Sequence, residues 1–190
     1  MKPSVSLQKR FDIVEVVKKI IKSRALWFIV IFSCIAICGK HFVGFPMMVS
    51  GESMERTLNN GDYVWLNRLH YRTQNPERND IIVLHVKNEK TYQYVKRVIG
   101  MPGEKVRIKR GKVFINGEEL KEIKQFDLIE DGGMARETIT LGEDEYFVLG
   151  DNRNNSKDSR NVEVGIVKRN QIEGKVSFKL VPFDEIGSIE

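Results

Sequence analysis

Residues 91–99 read TYQYVKRVI, and this stretch decides the fold. Aromatic and β-branched side chains dominate it, and its length suits one strand. Side chains alternate across a strand, so Lys96 shares a face with Tyr92, Tyr94 and Val98, and Arg97 shares the other with Val95 and Ile99. On the N-terminal side, residues 80–86 (DIIVLHV) form a continuous apolar run of strand length, and residues 62–68 (DYVWLNR) form another. On the C-terminal side, residues 106–108 and 113–115 flank Arg110-Gly111, a hairpin turn, and Asn116-Gly117 marks a second tight turn. Residues 145–149 and 176–180 complete the set. Helical periodicity is weak after residue 50, so the reading is an antiparallel, mainly β domain.

The 190 residues are 41% hydrophobic and 30% charged, enough for one ordinary domain with a short appendage and too apolar for gross disorder. The net charge of +5 is concentrated at the start: Lys2, Lys9, Arg10, Lys18, Lys19, Lys22 and Arg24 are opposed only by Asp12 and Glu15. The rest is close to neutral and shows no zinc-finger spacing or RNA-binding motif, which argues against a nucleic-acid partner.

Residues 25–39 (ALWFIVIFSCIAICG) carry no charge. That is short of the about 20 residues a membrane helix needs, but Ile20 and Ile21 precede the run. Residues 42–49 (FVGFPMMV) extend it beyond Lys40 and His41, and flanking Lys and Arg can reach the headgroups. The expectation is a basic cytoplasmic segment over residues 1–21 and a single-pass transmembrane anchor in the cell membrane over 22–43. The domain over 44–190 then lies outside the cytoplasm, because the basic flank marks the inner side. A cleaved signal peptide is disfavoured because no A-x-A follows the run, and a lipoprotein is disfavoured by Ile37 before Cys38. The two cysteines, Cys34 and Cys38, both lie inside the run, so the fold stands without disulfides.

Three polar islands carry candidate chemistry. Residues 50–58 (SGESMERTL) hold Ser53, whose hydroxyl needs a base before it can act as a nucleophile. Lys96, on its aromatic and aliphatic face, is expected to be partly desolvated, and desolvation lowers a lysine pKa. A fall from about 10.4 to about 8 leaves about one amine in ten neutral near pH 7, at a cost of about 3 kcal/mol. Residues 149–160 (LGDNRNNSKDSR) form the third island, dense in donors and acceptors. It departs from a calcium loop, because Arg153 takes a ligand position and Ser156 stands where glycine is needed. Residues 100–105 (GMPGEK) lack phosphate-loop spacing. Taken singly, the islands also read as a polar turn, a solvated strand lysine and a loop of Asx turns.

Together and in this order, the islands resemble the bacterial type I signal peptidases. The family pattern S-G-x-S-M-x-P-T-L resembles residues 50–58, Y-V-K-R-V-I-G-x-P-G-D resembles 94–104, and G-D-N-R-x-N-S-x-D-S-R resembles 150–160. Gly174-Lys175 and Phe178 fall where the family has a closing strand, and the compact length is similar to the Gram-positive members. The resemblance implies a signal-peptidase-like β domain in which Ser53 is the nucleophile and Lys96 the general base. It implies Ser156 as orienter of the amine, Asp158 and Arg160 as a supporting ion pair, and the Ser53 amide as oxyanion donor. Some relatives add a hydroxyl two residues earlier, and that position is Gly51 here. The implied substrates are secreted preproteins with small residues first and third before the cut, with Met54, Leu58, Tyr94 and Val95 as pocket walls. The lipid membrane is the other implied partner, and no cofactor or metal is implied.

Two positions depart from the pattern, Glu104 for aspartate and Arg56 for proline. Proline fixes φ, so Arg56 frees the turn and adds a cation. Arg56 reads either as a solvent-facing partner of Glu52 or Glu55 or as a specificity element, in which case Arg56→Pro is expected to broaden cleavage across generic preproteins while weakening processing of the native partner. A Ser/His/Asp hydrolase would have to draw on His41, His70 or His85, none of which lies in a recognisable hydrolase motif. A signal-peptidase-like assembly factor serving pilus or secretion machinery is the other alternative. The presence of both Ser53 and Lys96 weighs against it.

Overall fold

The computed structural model describes residues 24–42, 44–86, 93–182 and 185–189, with side chains of the first segment described over 26–35. Tyr92 and the segment 1–21 lie outside the described residues. Helix α1 (Arg24–Phe42) spans 19 residues, about 28 Å at 1.5 Å per residue. Its side chains Trp27, Phe28, Ile29, Val30, Ile31, Phe32 and Ile35 are exposed, and Cys34 is an exposed free thiol. No helix among the described residues is long and apolar enough to cross a membrane.

The second unit is β-rich. In chain order its strands are β1 (Gly44–Met48), β2 (Tyr63–Asn67), β3 (Ile81–His85), β4 (Gln93–Gly100), β5 (Lys105–Lys109) and β6 (Lys112–Ile115). They continue with β7 (Glu118–Glu119), β8 (Ile139–Thr140), β9 (Glu145–Leu149), β10 (Val167–Lys168), β11 (Ile172–Val181) and β12 (Gly187–Ser188). A large sheet runs β1–β2–β11–β3–β4–β9–β10, with β12 on β11, and a smaller one runs β7–β6–β5–β8. The pairings are antiparallel, as the strand pattern predicts.

The turns follow from local chemistry. Arg110 and Gly111 have φ of 52° and 75°, and Asn116 and Gly117 have 53° and 93°. Both central residues of a tight hairpin turn must be left-handed to match strand twist.

Two elements differ from the sequence reading. Residues 44–48 do not prolong the apolar run but form β1 at the sheet edge, where, among the described residues, no strand lies beyond Pro46 to need its missing N–H. β11 is longer than residues 176–180 suggest, because its charges are neutralised in place. Glu173 pairs with Arg68 and His85, and Lys175 Nζ lies 2.5 Å from Asp80.

Candidate active site

The residues 49–62 form a loop between β1 and β2, closed at its base by Val49 N donating to Asp62 O at 2.8 Å and Gly61 N to Val49 O at 2.9 Å. Inside it, the amides of Thr57 and Leu58 both donate to Met54 O, at 3.0 and 2.8 Å, making one tight turn just after Ser53. Met54 and Leu58 are buried against Val64, Leu66, Val83 and Val95, so two apolar side chains anchor the turn in the core. Leu58 is therefore a core residue and not a wall of the cleft, contrary to the sequence reading. At Gly51, φ is 100° and the N–H is engaged by Asn60 Oδ1 at 3.0 Å.

Lys96 reaches the loop from β4. It is only 2% exposed. Its Nζ lies 2.7 Å from Ser53 Oγ and 2.9 Å from Val95 O, and 5.5 Å from the Tyr94 ring centroid. Burial lowers its pKa to about 8, against the opposing pull of Asp158 and then Asp151. Burial wins because each carboxylate already has an arginine. Arg97 binds Asp151 through Nε–Oδ1 at 2.8 Å and Nη2–Oδ2 at 2.7 Å, with both side chains fully buried. Arg160 binds Asp158 in the same fork. A neutral amine this close can accept the hydroxyl proton of Ser53.

The loop after β9 completes the site. Gly150 passes so close that a Cβ would meet Ser156 Oγ at 2.1 Å and Ser53 O at 2.5 Å. Asn152 N donates to Ser53 O at 3.1 Å. Asn152 Nδ2 donates to Glu55 Oε2 at 2.9 Å and Asn155 Nδ2 to Glu52 Oε2 at 3.0 Å, tying the two loops together. Ser156 departs from expectation: its Oγ is buried and, among the described residues, makes no hydrogen bond. The acceptors of the Lys96 amine are Ser53 Oγ and Val95 O instead.

A cleft of about 510 Å³ opens over this pair, and Ser53, Lys96, Met54, Tyr94 and Val95 line it. Neither His70 nor His85 borders it, and His85 Nε2 lies 2.9 Å from Glu173. Glu104 closes its own turn, accepting from Met101 N at 2.8 Å and Arg78 Nη2 at 2.5 Å. Arg56 has φ of 78° and its Nη2 lies 2.7 Å from Asp127, not from Glu52 or Glu55. Among the described residues no group of three or more His, Cys, Asp or Glu could hold a metal ion.

Sequence reasoning missed Asp151, Thr57 and Lys124. The signal for Asp151 was present, since a cation between Val95 and Ile99 on a strand face requires a buried carboxylate. Lys124 had no such signal, because it lies in a mostly polar stretch, KEIKQFD, with no strand or turn motif to mark it.

The family profile described as "Signal peptidase, peptidase S26" matches residues 22–181. A signal peptidase I of Bacillus amyloliquefaciens is 37% identical over 169 residues, 83% of this chain and 87% of its own. A signal peptidase IB of Staphylococcus aureus (strain Mu50) is 37% identical over 178 residues, 86% of this chain and 88% of its own. A crystal structure of a signal peptidase I from Enterococcus faecalis V583 is 31% identical, covering 55% of this chain and 98% of that one, with a TM-score of 0.42.

Proposed function

Because the chain belongs to the S26 family of signal peptidases, we propose that it is a membrane-anchored serine endopeptidase that removes signal peptides from secreted preproteins. Ser53 is the nucleophile and Lys96 the general base. The 2.7 Å approach of Lys96 Nζ to Ser53 Oγ carries this reading. As Ser53 Oγ adds to the scissile carbonyl carbon, neutral Lys96 takes its proton. The ammonium then protonates the leaving amine as the C–N bond breaks. Water attacks the resulting ester with Lys96 again as base, releasing the new carboxyl end and restoring Ser53. The Ser53 amide is the oxyanion donor, since the Gly51 amide is held by Asn60.

The substrate lies extended in the cleft, with Met54, Tyr94 and Val95 limiting the space to small side chains. β9 pairs with β4 only from Arg97 onward, which supports a substrate strand running beside residues 93–95. Asp158 and Arg160 support the site by fixing the turn at Gly150, whose N–H donates to Asp158 at 3.1 Å. The exposed apolar side chains of α1 support an anchor in lipid, and the basic residues before it support an inside N-terminus with the catalytic domain outside the cytoplasm.

Purified full-length protein in detergent, incubated with an A-x-A preprotein, tests the proposal. Cleavage after the second alanine by the wild type, and none by Ser53→Ala or Lys96→Met, is the expected result. An uncut preprotein with folded wild-type protein overturns it.

A further inference from the structure

Residues 121–127 (KEIKQFD) leave β7 and carry no regular secondary structure, yet their burial alternates. Glu122, Lys124 and Phe126 are half-buried, while Lys121, Ile123 and Gln125 are exposed. The polar side chains face inward because what they cover is polar. Glu122 takes the Arg153 guanidinium on both oxygens, at 2.7 Å from Nη1 to Oε1. The Phe126 ring lies under the same guanidinium, 4.0 Å from its carbon. Lys124 Nζ donates to Thr57 Oγ1 at 2.6 Å, and that hydroxyl donates to Asp151. Asp127 holds Arg56 at 2.7 Å.

One part of this segment is thus fixed on the loop after β9, and another on Arg56 and Thr57, in the tight turn that follows Ser53. An ammonium has only donors, so Lys124 fixes the Thr57 hydroxyl as its acceptor and directs the Thr57 proton to Asp151. Asp127 holds a residue whose backbone is left-handed, a conformation an arginine does not favour.

We propose that residues 122–127 are a strap that positions the Ser53 turn, with Lys124 and Asp127 as its positioning residues. The inference rests on Ser53 as nucleophile. Neither residue lines the cleft, so loss of the strap displaces the nucleophile without altering the substrate's pocket walls. Small misplacements of a reacting group cost heavily in rate, and the loss expected with KM unchanged is about ten-fold in kcat for Lys124→Met and smaller for Asp127→Arg, whose tie to Arg56 is exposed.

The test compares full-length wild type in detergent with Lys124→Met, Asp127→Arg and the charge swap Arg56→Asp/Asp127→Arg. Hydrogen exchange is followed at the Thr57 and Leu58 amides alongside kcat and KM. Lost protection of those two amides in the single variants, unchanged protection in β9, recovery in the charge swap, and a kcat that follows are the expected results. Unchanged protection at Thr57 and Leu58, or lost protection with full kcat, overturns the strap. A wild type that cleaves nothing while the single variants still lose protection refutes the reading of Ser53 and leaves the strap standing.

Discussion

Arg160 grips Asp158 through Nε–Oδ1 and Nη2–Oδ2 hydrogen bonds of 2.8 Å each. Asp158 is the charge that most strongly opposes the lowering of the Lys96 pKa. Arg160→Met exposes Lys96 to that carboxylate, so the acid limb of kcat/KM should move to higher pH. The Asp158→Asn/Arg160→Met double variant removes both charges and should bring the limb back to or below the wild-type position. Arg160→Met also leaves a buried carboxylate unpaired, which costs about 3–5 kcal/mol. The limb is therefore read at a temperature where circular dichroism shows both variants folded.

Lys96 weakens the fold it serves. Its folded pKa of about 8 lies below the ordinary value of 10.5, so burial penalises the ammonium. The penalty is fully present below pH 8 and fades as pH rises toward 10.5, where the amine is neutral folded or unfolded. A shift of this size corresponds to about 3 kcal/mol. Lys96→Met should melt above the wild type at pH 7, and the gap should shrink as pH rises between 8 and 10.5. Calorimetry of both proteins across that range checks the sign.

Gly150 permits the close approach of two loops. In Gly150→Ala the methyl would meet Ser53 O at 2.5 Å and Ser156 Oγ at 2.1 Å, so one loop must move. Since a 1 Å misplacement can cost about 10²-fold in rate, cleavage should fall by about that much. Far-ultraviolet circular dichroism should remain that of the wild type.

Arg56 behaves differently from the sequence expectation. Its φ of 78° is inaccessible to proline, whose ring holds φ near −65°. Arg56→Pro should therefore disrupt the turn and reduce cleavage of every preprotein, not broaden it. Arg56→Gly relieves the left-handed strain, worth about 1–2 kcal/mol, and loses an exposed ion pair worth under about 1 kcal/mol. Its melting temperature should equal or exceed that of the wild type.

Much of this was legible in the sequence because period-two patterning and tight-turn chemistry are local. The strands around residues 62–68, 80–86, 145–149 and both hairpin turns follow from neighbours alone. Ser53 and Lys96 were legible as a candidate pair only through the resemblance of their islands to the signal-peptidase pattern, and the structure places the two side chains 2.7 Å apart. What was hidden depends on long-range geometry. Leu58 looked like a cleft residue until the turn drove it into the core. Ser156 lies beside Gly150, yet its hydroxyl makes no bond to Lys96, whose amine is held by Val95 O from its own strand. Lys124 and Thr57 are 67 residues apart, and neither has a local reason to seek the other.

The most direct test of Lys96 as the base for Ser53 is the pH dependence of kcat/KM for preprotein cleavage. It is measured on the wild type and on the His70→Ala/His85→Ala double variant. Activity needs the neutral amine, so both proteins should gain activity with rising pH along a limb centred near 8, the pKa to which burial lowers Lys96. A limb near the ordinary histidine value of about 6.5 that disappears in the folded double variant would contradict the account.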